Sequence, residues 1–117
     1  MSGSEKTKDW LQLAPGVRRK TVAAGEKMMQ VIVWFDKGAK VPEHAHVHEQ
    51  IAAVLSGKMQ FVVAGQTRDV VGGEVVMLKS SVPHSAEALE ESWIIDTFSP
   101  PREDMLKADA EHVKNQP

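Results

Sequence analysis

Short β-prone runs, each closed by a turn signal, follow one another along nearly the whole chain, and this punctuation constrains the fold more than any other feature. Val17 to Ala23 and Met29 to Phe35 are separated by Ala24-Gly25-Glu26. Gln50 to Leu55 and Met59 to Ala64 flank Ser56-Gly57-Lys58, where glycine can take the positive φ of a tight hairpin. Thr67 to Val71 follows Ala64-Gly65-Gln66, Gly72-Gly73 leads into Glu74 to Leu78, and Ser85 to Leu89 and Trp93 to Phe98 complete the series. Within Met29 to Phe35, Val31, Val33 and Phe35 take one face of an extended segment while Ile32 and Trp34 take the other. Both faces of that strand are therefore expected to be covered. Turns at such regular intervals predict a small all-β sandwich or barrel.

Two stretches depart from the pattern. Ser99-Pro100-Pro101 ends the last run, because proline cannot donate to a strand ladder. Arg102 to Asn115 is the only stretch rich in helix formers, and it predicts a turn or short helix followed by a loose tail. The expected organisation is a flexible N-terminus over residues 1–9, a single domain over 10–106 and a C-terminal tail over 107–117.

Composition narrows the chemistry. At 117 residues one core without disulfides is feasible, and the absence of cysteine removes thiolate metal sites, leaving His, Gln and carboxylates as ligands. The formal charge of -2, with both signs interspersed, offers no basic stripe for nucleic acid. No apolar run approaches the roughly 20 residues that span a bilayer. Met1 to Asp9 lacks the apolar centre of a secretory signal, so the cytoplasm is the expected compartment.

Three of the five histidines fall in His44-Ala45-His46-Val47-His48, followed at once by Glu49 and Gln50. Neutral imidazole is the commonest protein metal ligand. If the segment is extended, residues two apart share a face, and His44, His46 and His48 point one way. A lone histidine is most often a satisfied polar residue; the spacing around this cluster argues otherwise. Gly38 lies six residues before His44, Gln50 four after His46, and Gly57 seven after Gln50. A second block runs from Gly73 to Pro83-His84.

This arrangement resembles the cupin superfamily. The first cupin motif is Gly, five residues, His-x-His, three or four residues, Glu, six residues, Gly, and residues 38–57 match it with Gln50 at the Glu position. In the second motif Gly73 and His84 match, while Lys79 and Ser81 stand where the family carries Pro and Gly, a departure that touches turn geometry rather than the ligand. The resemblance implies a cupin-type jelly-roll β-barrel of six to eight strands holding one divalent metal ion (Ni, Zn, Fe or Mn), with His44, His46, Gln50 and His84 as ligands. Three neutral imidazoles and an amide leave the ion's charge uncompensated, which favours an anionic substrate or an ionised bound water. Glu49 in place of Gln50 would sit one residue early and on the opposite strand face. His48 falls outside the two-histidine pattern, and its implied task is lining the pocket or hydrogen-bonding a ligand. His112 is expected to be solvated in the tail.

Asp96 is embedded in the apolar run Trp93-Ile94-Ile95-Asp96-Thr97-Phe98, where an unpartnered carboxylate is costly. It precedes Ser99-Pro100-Pro101-Arg102-Glu103-Asp104, whose plain reading is a proline turn and a charge cluster in which Asp96 and Arg102 pair. Together with His44 to Gln50 and Ala14-Pro15-Gly16-Val17, this segment is similar to the small single-domain cupins of pectin and alginate degradation, over about residues 10–106. That family converts 4,5-unsaturated monouronates to linear keto-uronates. Asp96, Arg102 and Gln50 match its implicated positions. The resemblance implies that Arg102 holds the substrate carboxylate through a two-point contact, that Asp96 moves a proton during addition across the double bond, and that the metal binds sugar oxygens or polarises water. It also implies a homodimer built by pairing or exchanging edge strands. Two other readings use the same barrel: a metal-dependent oxygenase of a small organic acid or phenol, and a non-catalytic sugar-acid-binding module.

Overall fold

A computed structural model describes residues 10–115; the expected flexible segment over 1–9 lies outside them. Among the described residues ten strands form, in chain order β1 (Leu11–Ala14), β2 (Val17–Ala24), β3 (Met29–Phe35), β4 (Lys40–His44), β5 (Glu49–Ser56), β6 (Lys58–Val63), β7 (Gln66–Val71), β8 (Val75–Leu78), β9 (His84–Ala88) and β10 (Ser92–Ser99). They build two antiparallel sheets, one ordered β1-β2-β3-β10-β5-β8 and the other β4-β9-β6-β7. The strand count exceeds the six to eight that the family implies. One of the extra strands, β1, turns back through Gly16 (φ 74) to add an edge beside β2.

The core lies between the sheets. Val31, Val33 and Phe35 of β3, Val54 of β5, and Ile94 and Phe98 of β10 pack with Met59 and Phe61 of β6, Val70 of β7 and Ala88 of β9. The alternate residues of β3 are covered differently. Trp34 stacks on Trp93 with ring centroids 4.9 Å apart, Trp10 meets Trp93 edge-on at 5.7 Å, and the Arg18 guanidinium lies 4.5 Å from the Trp34 ring centre. An N-terminal aromatic cap thus covers the outer face of the six-stranded sheet at β3 and β10.

The helix is longer than the sequence suggested. Helix α1 runs over Glu103–Lys114, through residues expected to form a loose tail. Two tertiary attachments hold it: Met105 is buried against the core, and Arg19, on β2 and 3 % exposed, donates to Asp109 at 2.9 Å and to the Met105 carbonyl at 3.2 Å. Thr21 also donates to Asp109. His112 sits half-buried in the last turn of α1 rather than in a solvated tail. Among the described residues, no helix is long and apolar enough to cross a membrane.

Candidate metal centre and adjoining pocket

β4 carries His44 to the cavity by an irregularity. Its pairing with β9 shifts between Val41 and His44, so that His44 faces His84 across the ladder. Strict alternation would send residues three apart to opposite faces, yet the bulge lets both Val41 and His44 line the cavity. β4 ends there, which overturns the expectation that one extended segment presents His44, His46 and His48 on a common side. His46 lies in the loop between β4 and β5. That loop is tied to the turn before β9, through Ser81 N–H to the His46 carbonyl at 2.7 Å and Ser80 Oγ to the Val47 carbonyl at 2.6 Å.

His44, His46 and His84 converge all the same. One ligand atom from each lies within 4.8 Å of the others, and the His44 and His84 ring centres are 4.4 Å apart. Each ring is oriented by a backbone carbonyl at Nδ1: Pro42 for His44 at 2.9 Å, His48 for His46 at 3.0 Å, and Val82 for His84 at 3.0 Å. A carbonyl only accepts, so the Nδ1–H tautomer satisfies each of these contacts and turns the Nε2 lone pair inward. The buried Nε2 of His84 has no hydrogen-bond partner. Burial is the leading cause holding both His46 and His84 below the usual imidazole range, with the Arg102 charge adding to it. These pre-oriented ring nitrogens fit a divalent cation.

Gln50 completes this side of the cavity. It is 8 % exposed, whereas Glu49 is exposed, and its Oε1 stands 3.1 Å from His46 Nε2. In the Nδ1–H tautomer of His46, two lone pairs face each other across that gap. A cation between them reconciles the pair. His48 is outside the trio. It is half-buried, its ring centre lies 5.5 Å from that of His46, and its Nδ1 is buried without a partner.

The cavity continues past the histidines to Asp96 and Arg102. Asp96 falls between inward-facing Ile94 and Phe98 on β10, and burial pushes its carboxyl up to about 6 despite a hydrogen bond from Gln50 and the nearby Arg102 charge. Arg102 follows the double proline. Its backbone N–H points at Met29 Sδ (3.0 Å), and its guanidinium carbon lies 5.1 Å from the Phe98 ring centre. The plain expectation of an Asp96–Arg102 ion pair is not met. Arg102 instead forms a two-point contact with Asp104, Nε to Oδ1 at 3.0 Å and Nη2 to Oδ2 at 2.9 Å. Asp104 belongs to the charge cluster visible in the sequence, and the signal for this contact is its position two residues after Arg102, in the first turn of a helix.

A family model described as the cupin domain matches residues 31–93. The chain is a cupin. It is 39 % identical over 99 residues to the pectin degradation protein KdgF of Dickeya dadantii, spanning 83 % of this chain and 90 % of that protein, and it belongs to that protein's family. The solved structure of KdgF from a Halomonas species superposes on this cupin with a TM-score of 0.80 at 39 % identity, over 83 % of this chain and 90 % of the other. An RmlC-like cupin from Shewanella frigidimarina matches with a TM-score of 0.80 at 31 % identity, over 90 % and 93 % of the two chains.

Proposed function

We propose that this cupin converts 4,5-unsaturated monouronates to linear keto-uronates, with His44, His46, His84 and Gln50 holding one divalent metal ion and Asp96, Arg102 and Gln50 serving the reaction. The observation that carries the proposal is one cavity lined by His44, His84, Gln50, Asp96 and Arg102, with His46 converging on the two histidines at its edge and the Asp96 carboxyl pushed up to about 6. The substrate class follows the likeness to the pectin degradation protein KdgF.

The substrate is a cyclic vinyl ether bearing a carboxylate. Arg102 binds that carboxylate. Asp96, as the acid, donates its proton to the vinyl carbon distal to the ring oxygen, leaving positive charge shared between the adjacent ring carbon and that oxygen. Water adds at the ring carbon, its surplus proton returning to the Asp96 carboxylate, and the resulting hemiketal opens to ketone and hydroxyl. Gln50 donates to Asp96 and fixes its orientation beside the histidines. A bound divalent ion supplies Lewis acidity toward substrate or water oxygens.

The test is to add metal-loaded protein to freshly generated unsaturated galacturonate and follow loss of the double bond under argon. Acceleration well above the spontaneous rate is expected. No acceleration without oxygen but turnover with it would favour the oxygenase reading, and saturable binding without conversion would favour the binding module. The proposal extends to a homodimer, supported by exposed Ile51, Val75 and Met77 around edge strand β8; a monomer mass by light scattering at micromolar concentration would remove that part. It also places the reaction in the cytoplasm, which cell fractionation tests.

A further inference from the structure

A guanidinium has two edges that can each meet a carboxylate with two parallel N–H bonds, one formed by Nε and one Nη, the other by the two Nη groups. Asp104 occupies only the first, through Nε and Nη2, and leaves Nη1 out of the contact. The two partners differ in exposure: the Arg102 side chain is 15 % exposed and that of Asp104 is 64 % exposed. Arg102 lines the cavity that holds Asp96, His44 and His84, whereas Asp104 approaches from the solvent side, on the first turn of α1. The Phe98 ring against the guanidinium restricts it further.

We infer that Asp104 is a positioning residue: it grips the outer edge of the Arg102 guanidinium so that the inner edge is held toward the cavity to receive a substrate carboxylate. This rests on the proposed role of Arg102 in carboxylate binding. A long, rotamer-rich arginine loses entropy when it engages a ligand, and a resident carboxylate that fixes it beforehand reduces that loss. Asp104 suits the task because its carboxylate stays ionised. The Arg102 contact leads in holding it below the usual carboxylate range, and backbone N–H groups at the start of α1 add to this.

Steady-state kinetics on unsaturated galacturonate with Asp104→Asn, Asp104→Glu, Arg102→Ala and the parent protein test this. Asp104→Asn is expected to raise KM roughly 3- to 5-fold, the scale of one exposed ion pair, with kcat changed less than about twofold. Asp104→Glu, which can still form the fork, should recover part of the loss. A merely structural residue would move the melting temperature or kcat instead. An unchanged or lowered KM in Asp104→Asn, alongside a raised KM in Arg102→Ala, would overturn the inference alone. An unchanged KM in Arg102→Ala would overturn the carboxylate-binding reading beneath it.

Discussion

The side-chain amide of Gln50 bridges His46 and Asp96, turning its oxygen to within 3.1 Å of His46 Nε2 and its nitrogen to the Asp96 carboxylate. The bridge couples the candidate metal centre to the candidate proton donor through a neutral group. A glutamate there would place a second negative charge beside Asp96. A glutamine lowers the Asp96 pKa only partly, leaving burial to dominate.

This predicts the pH dependence of the reaction. Asp96 donates a proton only as the neutral acid, and burial pushes its carboxyl up to about 6. Accordingly, kcat/KM should fall as pH rises through about 6, and Asp96→Asn should lose about 10²–10⁴-fold in rate below that pH, by a margin that narrows above it, while binding metal normally. A raised carboxyl pKa also means that the folded state holds the proton more tightly than the unfolded chain, so this residue's contribution to stability is lost as pH rises from about 4 to about 6. Asp96→Asn should flatten that part of a melting-temperature profile. Parent-like activity in Asp96→Asn would end its catalytic role.

Metal binding should register in stability. At a free ion concentration about 100 times Kd, a site present only in the folded state contributes about 2.7 kcal/mol. Calorimetry with and without a chelator should show the parent melting temperature rise on adding Zn²⁺ or Ni²⁺. His84→Ala removes the proposed ligand, whose Nε2 is otherwise orphaned, and should abolish the rise. An equal rise in that variant would place the ion elsewhere.

Much of this arrangement was legible in the sequence, and what was not has specific causes. Met29 to Phe35 is a strand with the expected bounds because its apolar pattern and flanking turns agree. The motif spacing still brings His44, His46 and His84 together, since it is a pattern of positions that does not depend on the intervening conformation. The inferred route to convergence did not survive, because a bulge in β4 and a loop at His46 carry out what strand alternation was expected to do. Helix α1 outran its local signal because its attachments, Met105 against the core and Asp109 to Arg19, are tertiary contacts with partners far away in sequence.

The departures from the cupin motifs acquire a meaning at Ser81, which adopts φ 63 where the family carries glycine. Its N–H holds the His46 loop. Ser81→Gly should therefore keep stability within about 1 kcal/mol, because relieved strain and added chain entropy offset each other. Ser81→Val should cost about 1–3 kcal/mol and weaken metal binding. Urea denaturation and metal titration check both, and equal behaviour of the two variants would count against backbone conformation as the cause.

Gly57 offers a stricter case. Its φ is 92, and a Cβ added there would collide with the Glu91 carbonyl oxygen and Ser92 Oγ and lie 2.8 Å from Ser92 Cα. Backbone cannot swing aside as a flexible side chain can. Gly57→Ala should combine left-handed strain with overpacking and cost about 2–4 kcal/mol, read as a lower urea midpoint. A loss under 1 kcal/mol would mean that the β5–β6 hairpin can open away from β10 without disturbing the core.

The attachment of α1 gives an asymmetric prediction. The Arg19 side chain is 4 % exposed and that of Asp109 25 %. Removing the carboxylate by Asp109→Ala leaves a buried guanidinium with the Met105 carbonyl and Thr21 as its remaining partners. Arg19→Met instead leaves a carboxylate that water can reach and that Thr21 still serves. Breaking a buried pair typically costs 3–5 kcal/mol because of the stranded charge, and partial exposure of Asp109 brings the expected loss for Asp109→Ala to about 2–3 kcal/mol. Arg19→Met should lose about 1 kcal/mol, since methionine refills much of the apolar volume. The double variant should resemble Arg19→Met rather than the sum of the two, because no charge is then left stranded. Equal losses in the two single variants, measured by urea denaturation, would show that the helix is held by Met105 packing rather than by this ion pair.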